Sequence, residues 1–239
     1  GEDERIKLLL NAVGMRLLRS VPACTMRFQM FDANGIGAFG RLMALDPALR
    51  NNQNEPTVKS FTIGEKVYSG FRELAEQIRE MKITMDDLAR QLTNYASIRE
   101  FNEKNPLSRQ IYRPMLMMNF PMGLEEQDIR TLNAMTADCS RWGFSMVLAQ
   151  PDKALKAARP EIRTVVQELC GNVLCMRLDE KARFLRVLNT ASNTERAARI
   201  ALYGVPDNHA IEGIAAKIRE ESVKASSMLI RFAEAKGIC

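Results

Sequence analysis

The sequence predicts an α/β protein, a three-layer fold on a parallel sheet with a long helix at its C-terminal end. Three observations carry that expectation. Apolar runs of strand length at Met26–Phe31, Met115–Met118 and Phe144–Ala149 alternate with segments of helical periodicity. The stretch Tyr112–Pro121, Y-R-P-M-L-M-M-N-F-P, is apolar without alternation, as suits a strand covered on both faces. The 239 residues, 46% hydrophobic and 26% charged, suffice for one large or two small globular domains.

Taken in order, Ile6, Leu9, Leu10, Val13 and Leu17 recur at helical spacing and define a first helix. Ser20-Val21-Pro22 stops it, because the residue before proline avoids the helical region. Met26–Phe31 alternates and reads as a strand ending at Asp32; an Asn- and Pro-rich loop, Asp46–Thr57, separates it from a short strand-like piece, Ser60–Ile63. Next, Phe71, Leu74, Ile78, Met81, Met85, Leu88, Leu92 and Tyr95 follow at intervals of three and four. That is a helical seam of roughly 36 Å. It suits a helix laid on the sheet, or an arm that pairs with a partner helix through Phe71–Tyr95. After the central strand, Glu125–Trp142 reads as a helix closed by Gly143, and Phe144–Ala149 as a strand. A helix over Pro160–Leu169, a strand over Asn172–Leu178, an irregular basic segment and a last helix from Ala210 to Lys236 complete the chain.

Charge and cysteine usage narrow the function classes. The net charge is +5, and from residue 151 onward 15 basic side chains face 11 acidic ones. Such a bias permits contact with an anion without requiring it. No apolar run approaches the roughly 20 residues that cross a membrane, and G-E-D-E-R is no signal peptide, so no membrane partner is expected. Cys24, Cys139, Cys170, Cys175 and Cys239 are odd in number and lack metal-site spacing, which reads as reduced thiols in a cytoplasmic protein.

Several motifs invite chemistry and are weak on inspection. Gly35–Gly40 is a literal G-x-G-x-x-G after a strand, with Glu65 near the distance of a ribose-binding acid. Pro47 and the Asn-rich loop leave no room for a compact crossover helix, so a glycine-rich turn is the default. No G-x-x-x-x-G-K-[ST] occurs, and the acids before the first helix would repel a triphosphate. The sole histidine, His209, lies in a turn-like P-D-N-H segment, so no Ser-His-Asp or Cys-His set assembles. Glu125-Glu126 sits at a helix start, a capping position rather than an acid/base dyad.

The ordered series of phrases resembles the FtsK/SpoIIIE-like P-loop ATPase domain of hexameric DNA translocases and type VII secretion ATPases. A helix leads to M-R-F-Q-M-F-D-A-N-G; a long helix carries E-Q-I-R-E at Glu76–Glu80; Y-A-S-I-R-E-F-N-E-K-N spans Tyr95–Asn105. Arg113–Pro121 is similar to the family's Walker B strand, and S-R-W-G-F-S and L-A-Q-P-D-K are similar to the phrases that follow it. The resemblance covers residues 6 to about 178.

What this implies is a RecA/FtsK-like sheet whose chemistry is altered. Asn119 and Phe120 stand where the family carries the acid that serves magnesium and the acid that activates water. Gln150 matches a sensor-like position, and Asp32 matches a family acid that is usually structural. The resemblance therefore implies a degenerate ATPase domain over residues 1–205 and a helix or linker over 206–239. Such a module binds no cofactor itself, while its parent motor uses ATP and magnesium, and its partners are other ATPase domains of the same protein. Two alternatives stand beside it. One is an active nucleotide-binding translocase domain whose phosphate loop lies upstream. The other is a DNA-contacting clamp, or a type VII secretion-like domain, with Arg177, Lys181, Arg183, Arg186, Arg196 and Arg199 as the residues for duplex DNA.

Overall fold

The computed structural model describes residues 2–22, 25–43, 64–120, 123–151, 176–178, 184–189 and 194–201, with scattered helical positions at 160, 164 and between 209 and 224. Its centre is a four-stranded sheet in the order β2-β1-β3-β4, formed by β1 (Phe28–Asp32), β2 (Gly64–Tyr68), β3 (Arg113–Met118) and β4 (Phe144–Ala149). Every pairing is parallel. Between β1 and β3 the register runs Gln29↔Met115 to Asp32↔Met118, and between β3 and β4 Arg113↔Phe144 to Met118↔Ala149. All of β1 and Pro114–Met118 of β3 are buried, which accounts for their lack of polar alternation.

Period-two geometry sends the strand side chains to opposite layers. Met115 and Met117 join Phe31 in one core cluster, packed with Leu74, Ile78 and Met85 of α3 (Phe71–Gln91) and Leu132 and Met135 of α5 (Glu126–Asp138). Leu116 and Met118 join Phe28 and Met30 in a second cluster, with Leu10 of α1 (Glu2–Arg19) and Leu42 of α2 (Gly40–Met43). Each fully buried side chain of this size contributes roughly 1.5–3 kcal/mol of transfer free energy. The expected three layers are therefore present.

The long seam is spent inside the molecule. Leu74, Ala75, Ile78, Met81, Met85 and Leu88 are buried on α3, and Leu92 just past its end. Residues that face the sheet leave no seam for a protruding arm, so the helix lies flat on it. The helix also stops at Gln91 rather than Tyr95, a length of about 31 Å. Tyr95 turns instead onto Phe101, ring edge to face at 5.0 Å. Ser97 caps α4 (Ile98–Lys104) by accepting from the Glu100 amide at 3.2 Å, and the Glu100 carboxylate accepts from the Ala96 amide at 2.6 Å. This reciprocal cap accounts for the phrase Tyr95–Asn105 as a structural corner. On α3, Arg79 holds Asp128 of α5 through two bonds, 2.8 and 3.1 Å, with the Asp128 side chain only 2% exposed. The second helix is thereby fixed against the first.

Some expectations are corrected. The segment Glu125–Trp142 divides into α5 and a 3-10 turn, Ser140–Trp142, ended by Gly143 at φ 94°, the left-handed position glycine favours. The edge strand is Gly64–Tyr68; the piece Ser60–Ile63 lies outside the described residues, as does the loop 46–57. The strand ending at Leu178 does not join the parallel sheet. Met176–Leu178 (β5) pairs antiparallel with Phe184–Asn189 (β6), which pairs antiparallel with Thr194–Ala201 (β7). The described part of the segment read as irregular is thus largely two antiparallel strands. Of the helix over Pro160–Leu169, Pro160 and Thr164 are described as helical. In the last helix the described positions, from His209 to Lys224, are helical and exposed. No described helix is long and apolar enough to cross a membrane.

Candidate functional site at the carboxyl ends of the parallel strands

Open parallel sheets bind ligands at the carboxyl ends of their strands, because the loops there diverge to opposite layers. In this sheet Asp32 ends β1 level with Met118 and Ala149, and Asn119 and Gln150 follow one residue further on, just past β3 and β4. The Asn119 amide donates to the Ala149 carbonyl at 3.0 Å, and the Ala33 amide to the Met118 carbonyl at 3.4 Å. Three sequence-predicted positions are thus brought together on adjacent strands.

Asp32 is buried, 1% exposed, and organises the glycine-rich turn. Its Oδ2 accepts from the Ala38 amide at 2.9 Å and its backbone carbonyl from the Gly35 amide at 3.0 Å. Gly35 and Gly37 adopt φ of 60° and 73°, which a residue with a Cβ rarely does. From α1, Asn11 donates its side-chain amide to the Ala38 carbonyl at 2.7 Å, closing the turn from below. The G-x-G-x-x-G string is therefore a braced turn, and its Ala38 amide, already bonded to a carboxylate, is not free for a pyrophosphate.

Asn119 is the sole described non-glycine residue at positive φ, 69°, a conformation asparagine tolerates better than most side chains. Directly after it Phe120 is 3% exposed and belongs to the same apolar cluster as Phe31, Leu74 and Ile78. The position at which the resemblance places a water-activating acid is occupied by a core side chain. The sequence from Asn119 to Leu124 contains no acid at all.

The chemistry of the crest lies in its acceptors. Asp32 Oδ1, Asn119 Oδ1, Gln150 Oε1 and Asn11 Oδ1 are buried and have no hydrogen-bond partner. Buried acceptors of this kind are costly unless a donor meets them. The complement of such oxygens is a hydrogen-bond donor. No cluster of three or more His, Cys, Asp or Glu able to hold a metal occurs among the described residues. Sequence reasoning missed Asn11; the available signal was a polar side chain at a position flanked by the buried Leu10 and Ala12, itself 3% exposed.

Other reactive groups lie elsewhere. Cys139 is a buried free thiol beside the end of α5, and burial raises its pKa above the ordinary thiol value. Burial likewise raises that of Tyr112. His209 is an exposed helical residue, as its sequence context suggested. Of the basic set, Arg177 lies on β5, Arg186 on β6, and Arg196 and Arg199 on β7, while Lys181 and Arg183 fall outside the described residues. The register sets Arg177 opposite Arg186 and Arg186 opposite Arg199.

The element order and the all-parallel sheet with helices on both faces define a three-layer α/β fold. The solved structures that this chain resembles are FtsK/SpoIIIE-type ATPases. EssC (ATPases 2 and 3) from Geobacillus thermodenitrificans superposes with a TM-score of 0.51 at 11% identity, covering 92% of this chain and 42% of that one. The cytoplasmic domain of EssC gives 0.49 at 10% identity, over 93% of this chain and 42% of that one. The pCW3 conjugation coupling protein TcpA, in its monomer form with ATPγS, gives 0.49 at 14% identity, over 90% of this chain and 60% of that one. No protein-family model matches the sequence, and no curated protein does. The chain thus spans less than half of the EssC chains whose fold it shares.

Proposed function

We propose that this chain is a non-catalytic module of an FtsK/SpoIIIE-like ATPase motor, serving interaction or regulation rather than hydrolysis. The observation that carries the reading is Phe120, 3% exposed within the core cluster where an NTPase needs an acid facing bound nucleotide. Asn119 supplies an amide in place of a charged magnesium partner, and the sequence holds no phosphate loop. The partners in this reading are other ATPase domains of the parent protein, in keeping with the tandem character of EssC (ATPases 2 and 3). ATP and magnesium belong to those domains. Isothermal titration of the isolated chain with Mg-ATP tests it: no micromolar binding and no phosphate release are expected. Micromolar binding with turnover, abolished by Asn119→Ala, would establish the rival reading of an active translocase domain.

A second reading is favoured by the β5–β6–β7 register. Arg177, Arg186 and Arg199 stand directly opposite one another across three strands. Basic residues at paired register positions concentrate positive charge on these three strands. This supports a clamp on the duplex DNA backbone, the reading that also includes Lys181, Arg183 and Arg196. Duplex binding should then fall steeply as salt rises, and Arg186→Ala should lower the slope. A duplex that shows no salt-sensitive shift would dismiss it.

A further inference from the structure

We propose that Asn34–Gly35 is a site of spontaneous covalent modification, where closure of a succinimide ring and its hydrolysis convert Asn34 into aspartate or isoaspartate. The isoaspartate product opens the glycine turn that Asp32 braces. Among the asparagines of this chain, Asn34 alone is followed by glycine.

Ring closure requires the backbone nitrogen of the following residue to reach the asparagine side chain. Asn34 and Gly35 are both exposed. Gly35 has no side chain to obstruct the approach, and a Cβ built there would meet nothing within 4 Å apart from its chain neighbours. One bond opposes the reaction, from the Gly35 amide to the Asp32 carbonyl at 3.0 Å. It lies in an exposed turn, where local opening costs less than global unfolding. The other described asparagines lack this combination. Asn11 and Asn102 are buried, and Asn119 and Asn133 are half-buried ahead of Phe120 and Ala134. Asn105 precedes Pro106, which has no N–H to lose. Asn94 is exposed, but the next amide carries the side chain of Tyr95 and donates to the Leu92 carbonyl at 2.9 Å.

No oxidant or cofactor is consumed. The Gly35 nitrogen gives its proton to solvent base and bonds to Asn34 Cγ, while the Cγ–Nδ2 bond breaks and ammonia leaves. Water then opens the ring and returns a proton to the Gly35 nitrogen. Attack at Cγ gives aspartate; attack at the main-chain carbonyl of residue 34 gives isoaspartate. Either product adds a negative charge two residues from the buried Asp32 carboxylate. Isoaspartate also routes the backbone through Cβ and Cγ, one carbon longer, which carries the Gly35 amide away from the Asp32 carbonyl. Directly behind this turn come the Ala38 amide, bonded to Asp32 Oδ2 at 2.9 Å, and Phe39 and Leu42 in the core. Loosening the turn therefore lowers the stability of the layer that holds them.

To test this, the full chain is aged at neutral and at mildly alkaline pH, digested, and each asparagine followed by mass spectrometry. Conversion, a gain of about one mass unit, should proceed at Asn34 at least about tenfold faster than at Asn94 and accelerate with pH. A protein isoaspartyl methyltransferase should label the aged chain well above aged Asn34→Gln, in which the exposed side chain is lengthened and the turn kept. The melting midpoint of the aged chain should fall, and that of aged Asn34→Gln should hold. A peptide of residues 28–43, free of the braces from α1 and the core, should convert faster than the folded chain. Asn34 left unchanged in the folded chain, or converted no faster than Asn94, would overturn the proposal. Conversion to isoaspartate with an unchanged melting midpoint would overturn the opening of the turn.

Discussion

Placing an acid at residue 120 should break the fold before it adds any chemistry. Phe120 is 3% exposed in a cluster that includes Phe31, Tyr68, Leu74 and Ile78. Truncating a buried Phe typically costs about 3–5 kcal/mol, and Phe120→Glu loses that contact and adds a carboxylate with no partner among apolar neighbours. Set against a typical stability of about 5–15 kcal/mol, the substitution removes a large share of what a domain of this size possesses. Phe120→Leu, which keeps apolar volume, should cost less than about 2 kcal/mol. The comparison separates loss of packing from introduction of charge.

The charge leaves a signature in pH. A glutamate among apolar side chains has its folded-state pKa raised above the unfolded value of about 4.3. Below that value both states are protonated and the penalty is confined to packing. As pH rises past it, the unfolded state releases its proton first, so stability falls until the folded state ionises too. Urea midpoints of Phe120→Glu should therefore drop with rising pH relative to the unsubstituted chain, while those of Phe120→Leu should run parallel to it. A Phe120→Glu chain as stable as its parent at neutral pH, or one that gains ATP turnover, would refute the placement of residue 120 in the core.

Three further outcomes follow from local geometry. At Asn119, φ 69° makes Asn119→Gly neutral or mildly stabilising and Asn119→Val costly by about 1–3 kcal/mol, measurable by urea denaturation. Removing the cap with Ser97→Ala should cost about 1 kcal/mol, seen as a lower melting midpoint with no change in Mg-ATP response. Burial raises the Cys139 pKa, so the thiolate forms first in the unfolded chain; stability should fall as pH rises past the unfolded thiol value of about 8.5, and Cys139→Ala should remove that part of the slope in urea midpoints.

How far the fold was legible depended on whether a segment's burial was written in its own composition. β3 and α3 were readable because both are apolar on the faces they bury: Met115–Met118, and Leu74, Ile78 and Met85 at helical intervals. β2 was not, because G-E-K-V-Y at a sheet edge carries charges that a central strand would exclude. The hairpin β6–β7 was hidden by T-E-R-A-A-R-I-A, rich in helix-forming Ala and Arg, so that non-local pairing overrides local propensity. Within the site, Asn119, Phe120 and Gln150 were named from their order in the chain. That Phe120 belongs to the core and Asn119 to the crest depends on the backbone turning left-handed between β3 and the next segment, which no residue alone announces.

That turn also bears on the non-catalytic role proposed for the site. If Phe120 had simply lost its carboxyl group while facing the crest, the surface would be apolar and exposed there, and a single substitution would suffice to repair it. Instead the residue lies in the core cluster that packs α3 on the sheet. Among Asp32, Asn119 and Gln150 the acid is Asp32, and this carboxylate is engaged through Oδ2 in bracing the glycine turn. Hydrolysis needs an acid at the crest and a phosphate cradle beside it. Among the described residues, Asp32 is bound to structure and Phe120 lies in the core. The residues that stabilise the fold here, Asp32 in the glycine turn and Phe120 in the core, are thus the ones on which the proposed non-catalytic reading rests.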